Sequence, residues 1–287
     1  MSVGQWHRVT IIGCGLIGSS FALAMKSARA GARLAGWDTS PSVLDEALTR
    51  GIIDEVDASF ADGQVSSSDL IYLAMPVREI IGFLRERSQQ VKRGAIITDA
   101  GSTKQEVCLA AREHLPKDRS FVGGHPVAGS HLRGPAPARA DLFRDAPYVL
   151  ATDEDDADLH ALLRVKETVL LMGARVSLMT AREHDRAMAL VSHLPQVVAS
   201  ALASLISDEP DADSLMALSG AGYRDWARLS NSSWAVWRDI LATNPAHIAA
   251  ALDGLSEKLT AVSRELRAHA LANEDELRET RAMFKEF

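Results

Sequence analysis

Cysteine is scarce: Cys14 and Cys108 are the only two among 287 residues. Thiols so far apart have no metal-ligand spacing and build no disulfide framework. That argues against a cysteine metal site, and no metal is expected. It also argues against a disulfide-stapled secreted domain and fits a reducing cytoplasm, the expected location. Positive charge is in deficit too, with 31 Lys and Arg against 38 Asp and Glu, a net charge of −7 and a pI of about 5.7. Nucleic-acid binders ordinarily carry a basic patch and a high pI, so no nucleic-acid partner is expected. The opening MSVGQWHRVT lacks the charged-then-apolar order of a secretion signal. Repeats and low-complexity segments are absent. A single apolar run, 187–206, reaches a membrane-spanning length. It holds His193, Pro195 and Gln196 in its middle, which would be costly in lipid. The run is therefore expected to be a buried helix of a soluble protein, with no membrane partner.

What remains is ordinary for a globular protein, 47% hydrophobic and 24% charged, over a length of about two domains. Residues 9–12 are a short β-branched run that reads as a buried parallel strand. Gly13-Cys14-Gly15-Leu16-Ile17-Gly18 follows at once, then an alanine-rich helix to about residue 30, then a strand over 33–37 that ends at Asp38. A GxGxxG stretch alone is a weak signal. Strand, glycine loop, helix, strand and terminal acid together form a dinucleotide-binding fingerprint. Gly13, Gly15 and Gly18 let a pyrophosphate approach the backbone where Leu16 and Ile17 open the helix with free N–H groups. Asp38 lies 20 residues beyond Gly18, the spacing of an acid that accepts hydrogen bonds from the adenosine ribose. It would repel a 2′-phosphate, and Thr39-Ser40-Pro41 offers no arginine to hold one, so NAD is expected over NADP. Met75 and Pro76, where the strand 69–75 gives way to a helix, complete the expected cofactor-binding set.

Strands over 69–75, 95–98, 120–122, 148–150 and 175–178 alternate with helices over 41–50, 77–91 and 155–172. Such βα repeats predict an α/β, Rossmann-type doubly wound, mainly parallel sheet with helices on both faces. After about residue 180 the strand signals stop, and 181–207, 213–218, 234–241, 246–269 and a charged final segment, 273–287, read as helical. The expected division is an NAD-binding domain over 1–179 and an all-helical substrate-binding and dimerisation domain over 180–287.

The chemistry concentrates in FVGGHPVAGS (121–130). Two glycines there are expected to bring a loop close to a ligand. His125 would point out of that loop, with Pro126 fixing the chain behind it. An imidazole titrates near neutral pH and takes a proton from a substrate hydroxyl. In isolation it reads as a loop histidine satisfied by a backbone carbonyl, and it is the neighbouring motifs that turn it into a candidate base. Ser102, in DAGSTK (99–104), also follows a strand, so the two would converge near the nicotinamide, because ligands of such sheets bind beyond the carboxyl ends of the strands. Ser102 alone reads as a helix N-cap.

The glycine loop, DAGSTK, GGHPVAGS (123–130), and SHLPQ (192–196) followed by GYRDWARLSNSSWAVWRDI (222–240) together resemble the prephenate/arogenate dehydrogenase family, the NAD(P)-dependent enzymes of tyrosine biosynthesis. The likeness runs over 9–266, and the chain looks like a stand-alone form. The resemblance implies oxidative decarboxylation of prephenate to 4-hydroxyphenylpyruvate. It makes His125 the group that accepts the C4 hydroxyl proton and Ser102 a hydrogen-bond partner of that hydroxyl and of His125. It makes Arg228 the ligand of a substrate carboxylate and turns His193 toward the cleft. Read singly, Arg228 is a surface charge and His193 a satisfied core residue.

Three departures bear on substrate choice. His131 stands where many relatives carry an acid, which would rewire an ion pair with Asp225. Ala227 replaces a threonine, and Gln196 replaces the second histidine of SHLPH. Gln196 is neutral, and its amide donates to a carbonyl or carboxylate oxygen, which suits prephenate better than the ammonium-bearing arogenate. Arogenate or dual (cyclohexadienyl) specificity is the alternative. A β-hydroxyacid dehydrogenase would need a lysine in the helical domain, and none occurs between Glu167 and Glu257. A dinucleotide-sensing protein without catalysis would need no converging Ser, His and Arg. The apolar run exceeds what one small domain needs, so a homodimer through the helical half is expected, against a monomer that buries the run within itself.

Overall fold

The short aliphatic runs become neighbouring strands of one sheet. They are β1 (Arg8–Ile12), β2 (Arg33–Trp37), β3 (Glu55–Val56), β4 (Leu70–Leu73), β5 (Ile96–Asp99), β6 (Ser120–Pro126), β7 (Pro147–Ala151) and β8 (Arg175–Met179), in the order β3-β2-β1-β4-β5-β6-β7-β8. The computed structural model describes residues 6–28, 31–129, 132–151, 158–230 and 233–269. Successive side chains on a strand point to opposite faces, and here both faces are buried. Val9 and Ile11, Leu70 and Tyr72, and Ile96 look into one core. Ile12, Ile71 and Leu73, and Ile97 look into the other. That is why each strand reads as a continuous apolar run rather than an alternating one.

Six helices cover the sheet: α1 (Leu16–Ser27), α2 (Pro41–Thr49), α3 (Ser59–Asp62), α4 (Val77–Glu86), α5 (Gln105–His114) and α6 (Leu159–Leu171). Helices α1 and α6 pack on the first core through Phe21, Met25, Leu162 and Val165. Helices α4 and α5 pack on the second through Ile80, Leu84, Val107 and Ala110. The expected doubly wound α/β architecture is therefore present, with three local differences. The two-residue β3 is too short to show periodicity. Strand β6 runs four residues past 122, through His125. Strand β7 lies antiparallel to β6, whereas every other pairing is parallel. A parallel neighbour needs a crossover connection, usually a helix. The connection over 127–146 carries none among its described residues, and it closes with Val127 N–H donating to the Pro147 carbonyl at 2.9 Å.

Beyond Met179 the described chain is helical: α7 (Ala181–Met188), a π-helical turn (Ala189–His193), α8 (Leu194–Ser207), α9 (Ala212–Ala217), α10 (Ala221–Ser230), α11 (Trp234–Thr243) and α12 (Pro245–His269). Helix α7 opens on a capping box of Thr180 and Glu183. The π turn interrupts the expected single helix just before Pro195, which has no N–H to continue the ladder and whose ring crowds the preceding turn. Helix α10 was not expected. The helix expected over 273–287 lies outside the described residues. The apolar run is not the buried helix that composition predicts: only 22% of its apolar window is buried within the chain. Val191 and Leu205 are 70% and 62% exposed. Helix α8 is covered on one side by α10 and buries only Gln196 and Ala199, because the described residues of the helical half supply no second layer for its other side. By length and composition alone, 181–207 is one described helix that would suffice to cross a membrane.

Candidate active site

The three glycines after β1 do different jobs. Gly13 has φ +91°, and a Cβ there would lie 2.3 Å from the Ala74 carbonyl oxygen. A Cβ on Gly18 would lie 2.0 Å from the Gly13 oxygen. Both are demanded by backbone packing. A Cβ on Gly15 would meet nothing within 4 Å, so its surface is open to a ligand. Gly15 is the N-cap of α1, with no side-chain cap and no acid in the first turn. Its end therefore presents free N–H groups and positive dipole to an anion. Asp38 ends β2 beside this loop, accepting from the Cys14 N–H at 2.9 Å and from the Ser40 N–H at 2.9 Å. Leu16 is buried and Ile17 half-buried, while half-buried Met75 lies against Gly13 and exposed Pro76 caps α4. These residues fit a dinucleotide: an open cradle at Gly15, an uncapped helix end and a carboxylate at the ribose position. Burial, then the Asp38 charge, pushes the Cys14 thiol up to about 12, so it is an inert core residue.

Further along the same sheet edge, Asp99 organises the second half of the site. Its carboxylate accepts from the Gly124 N–H at 2.9 Å and the Gly101 N–H at 2.8 Å, and pairs with Lys104, both side chains being fully buried. A Cβ on Gly124 would lie 2.3 Å from the Asp99 carbonyl oxygen, and one on Gly123 2.9 Å from that of Ala151. The glycines before His125 therefore let strands approach one another, not a ligand. His125 itself sits in strand β6, paired with Val149 of β7, rather than in a loop.

His125 is 9% exposed, with Nδ1 2.8 Å from Nε2 of His184 in α7. His184 Nδ1 lies 2.7 Å from Asp185 Oδ1, and both residues are fully buried. Asp185 also accepts from the backbone N–H groups of Lys104 and Gln105, at 2.7 and 2.9 Å. The first helix of the helical half thus caps α5 and contacts the candidate base at once. Burial, then the neighbouring charges of His184, Lys104 and His193, hold His125 well below the usual histidine range. Burial pushes the Asp185 carboxyl up, but hydrogen bonds from His184 and the two amides outweigh it and hold the carboxyl low.

The other expected residues are placed less uniformly. Ser102 is half-buried after β5 and forms no hydrogen bond with His125, whose Nδ1 meets His184 instead. Nor is it the cap of α5, since Asp185 supplies that. His193 is buried at the end of the π turn, 3.3 Å from Asn244 Nδ2 and edge-on to Trp237. Burial lowers it to about 4. Gln196 is buried one turn on. Arg228 is exposed on α10 and has no ion pair with a described residue. His131 lies outside the described residues. Residue patterns did not single out His184, Asp185, Lys104 or Asp99. The one available signal was a polar His-Asp pair just inside a capping box, which is commonplace on exposed helices. Among the described residues no group of His, Cys, Asp and Glu is arranged to hold a metal ion.

The chain is similar to known proteins over most of its length. Residues 21–178 match the family model described as the prephenate dehydrogenase nucleotide-binding domain, and residues 180–283 match that of the prephenate dehydrogenase dimerization domain. The prephenate dehydrogenase of Bacillus subtilis is 38% identical over 241 residues, which are 82% of this chain and 64% of that protein. The chain thus spans somewhat less than two thirds of that relative. The cyclohexadienyl dehydrogenase of Zymomonas mobilis is 32% identical over 94% of this chain and 90% of its own length. The crystal structure of prephenate dehydrogenase from A. aeolicus, in complex with hydroxyphenyl propionate and NAD+, superposes with a TM-score of 0.88 at 30% identity, covering 96% of this chain and 95% of that one.

Proposed function

This chain belongs to the prephenate dehydrogenase family, and on that footing we propose that it carries out the NAD-dependent oxidative decarboxylation of prephenate to 4-hydroxyphenylpyruvate. The observation that carries the reading is His125: a buried imidazole at the ligand-binding edge of the sheet, with Nδ1 engaged by His184 and Nε2 without a partner among the described residues. A base held in its neutral form is what removal of a hydroxyl proton requires. NAD, held by the Gly15 cradle and Asp38, would supply the acceptor for the hydride of substrate C4. His125 Nε2 takes the C4 hydroxyl proton, Ser102 orients that hydroxyl, the ring carboxylate leaves as CO₂ and the ring becomes aromatic. The protein's share is positioning, one base and binding of the carboxylates.

Arg228, with its guanidinium free among the described residues, binds a substrate carboxylate. Arg228→Ala is expected to raise the substrate KM about ten- to hundredfold with kcat little changed, since charge-assisted contacts contribute roughly 1.5–3 kcal/mol. Steady-state kinetics at saturating NAD⁺ check this, and an unchanged KM would leave Arg228 a surface charge.

The experiment that tests the function is NADH formation by purified protein supplied with prephenate and, separately, with arogenate. Wild type is expected to show the higher kcat/KM for prephenate. Gln196→Glu is expected to move the ratio toward arogenate by about tenfold, the effect of a favourable ammonium contact of about 1.4 kcal/mol. Arogenate preference in the wild type would overturn the substrate choice. Absence of NADH with either substrate would overturn the activity. The exposed apolar positions of the helical half, among them Val191, Leu205 and Leu259, support a homodimer formed through residues 180–287, and we place the enzyme in the cytoplasm.

A further inference from the structure

We infer that His184, backed by Asp185, acts through His125: it fixes the tautomer of His125 and accepts its Nδ1 proton when Nε2 takes the substrate's. This rests on His125 being the base. The hydrogen-bond chain assigns each proton in turn. An ionised Asp185 only accepts, so the 2.7 Å contact requires a proton on His184 Nδ1. Neutral His184 then has a lone pair on Nε2, so the 2.8 Å contact requires a proton on His125 Nδ1. What is left to His125 is a lone pair on Nε2, the form a general base needs.

The same chain provides for the charge. The substrate O–H breaks and an N–H forms on His125 Nε2. The His125 Nδ1–H breaks and an N–H forms on His184 Nε2. One proton enters, no electrons move along the relay, and the positive charge comes to rest against Asp185. On product release His125 Nε2 gives a proton to water and the second transfer reverses. The surroundings favour this displacement. Lys104, the residue before α5, bears on both rings and makes charge on His125 unfavourable, as does His193 from the π turn. Asp99 of β5 and Asp185 of α7 oppose that effect at His184. Asp185 is itself held in place by the amides of Lys104 and Gln105, and its backbone oxygen accepts from Asn244 Nδ2 at 2.8 Å.

Two substitutions separate the relay from packing. In His184→Phe the ring neither accepts from His125 nor takes up a proton. In His184→Gln the amide oxygen still accepts from His125 Nδ1 but cannot be protonated. With NAD⁺ affinity and thermal melting as folding controls, kcat is expected to fall about a hundredfold in the Phe variant and about tenfold in the Gln variant, with KM within about twofold. The acid limb of kcat/KM is expected to move to lower pH in the Gln variant, because the proton can no longer pass to His184 beside Asp185 and must rest on buried His125. A Gln variant with wild-type kcat and an unmoved acid limb overturns the relay, and it decides alone if the Phe variant does not fold. Loss of activity in His125→Asn beside full activity in both His184 variants would sink the relay and leave the base in place. Full activity in His125→Asn would sink the base reading itself.

Discussion

His125→Asn is expected to lower turnover by about two to four orders of magnitude, the usual range for losing a general base, while leaving NAD⁺ affinity close to wild type. Asparagine places an amide near the position of Nδ1, so a contact with His184 survives. It has nothing at the position of Nε2 to take the hydroxyl proton. The cofactor cradle follows β1 and β2, which β4 and β5 separate from β6. The pH dependence follows from the same environment. Burial, then the charges of His184, Lys104 and His193, hold His125 well below its ordinary value. The base is therefore neutral and active across the neutral range, and activity is lost as pH falls through the depressed value, below the ordinary histidine pKa of about 6.5. Stopped assays of kcat against pH on wild type and variant, with cofactor titration by fluorescence, check both statements. Near-normal turnover in the variant would remove His125 from the chemistry.

Gly18→Ala and Gly15→Ala are expected to fail in different ways. The methyl at position 18 would sit 2.0 Å from the Gly13 oxygen and 2.8 Å from Ile11 Cγ2. Neither neighbour is the free end of a flexible chain, so α1 must lift from β1. Overpacking of this kind costs about 1–3 kcal/mol, sometimes more, which lowers Tm by about 2–4 °C per kcal/mol in a chain of this size. The methyl at position 15 meets nothing within 4 Å, and the φ there is −72°, which alanine adopts freely. The fold is expected to keep its Tm. NAD⁺ turnover is expected to drop about a hundredfold, the scale of effect of displacing a reactant by ~1 Å. Thermal melts and cofactor titrations on both variants separate the two roles. Normal NAD⁺ affinity in Gly15→Ala would show that no pyrophosphate rests there, and a shared loss of Tm would show that the cradle is structural throughout.

The features legible in the sequence are those whose physics is local. A strand, a glycine turn, a helix and an acid at the end of the next strand lie within thirty-one residues, 8–38. Backbone sterics and the free N–H groups of one helix end fix what such a run can bind. His125 was visible for a similar reason, as an imidazole just after an apolar strand with glycines before it and a proline behind. Its surroundings were not visible. The glycines look the same whether a ligand or another strand comes close, and only the contacts to the Asp99 and Ala151 backbones show which. The antiparallel turn of β7 follows from a connection without a crossover helix, which no periodicity within either strand records. His184 and Asp185 lie 59 and 60 residues beyond His125, on a helix where a polar pair is unremarkable. Which residues a helix face meets depends on how α7 docks against β6 and α5. Docking is set by the packing of the whole core, so the partners of the candidate base, and the side of α8 left bare, were decided by tertiary structure alone.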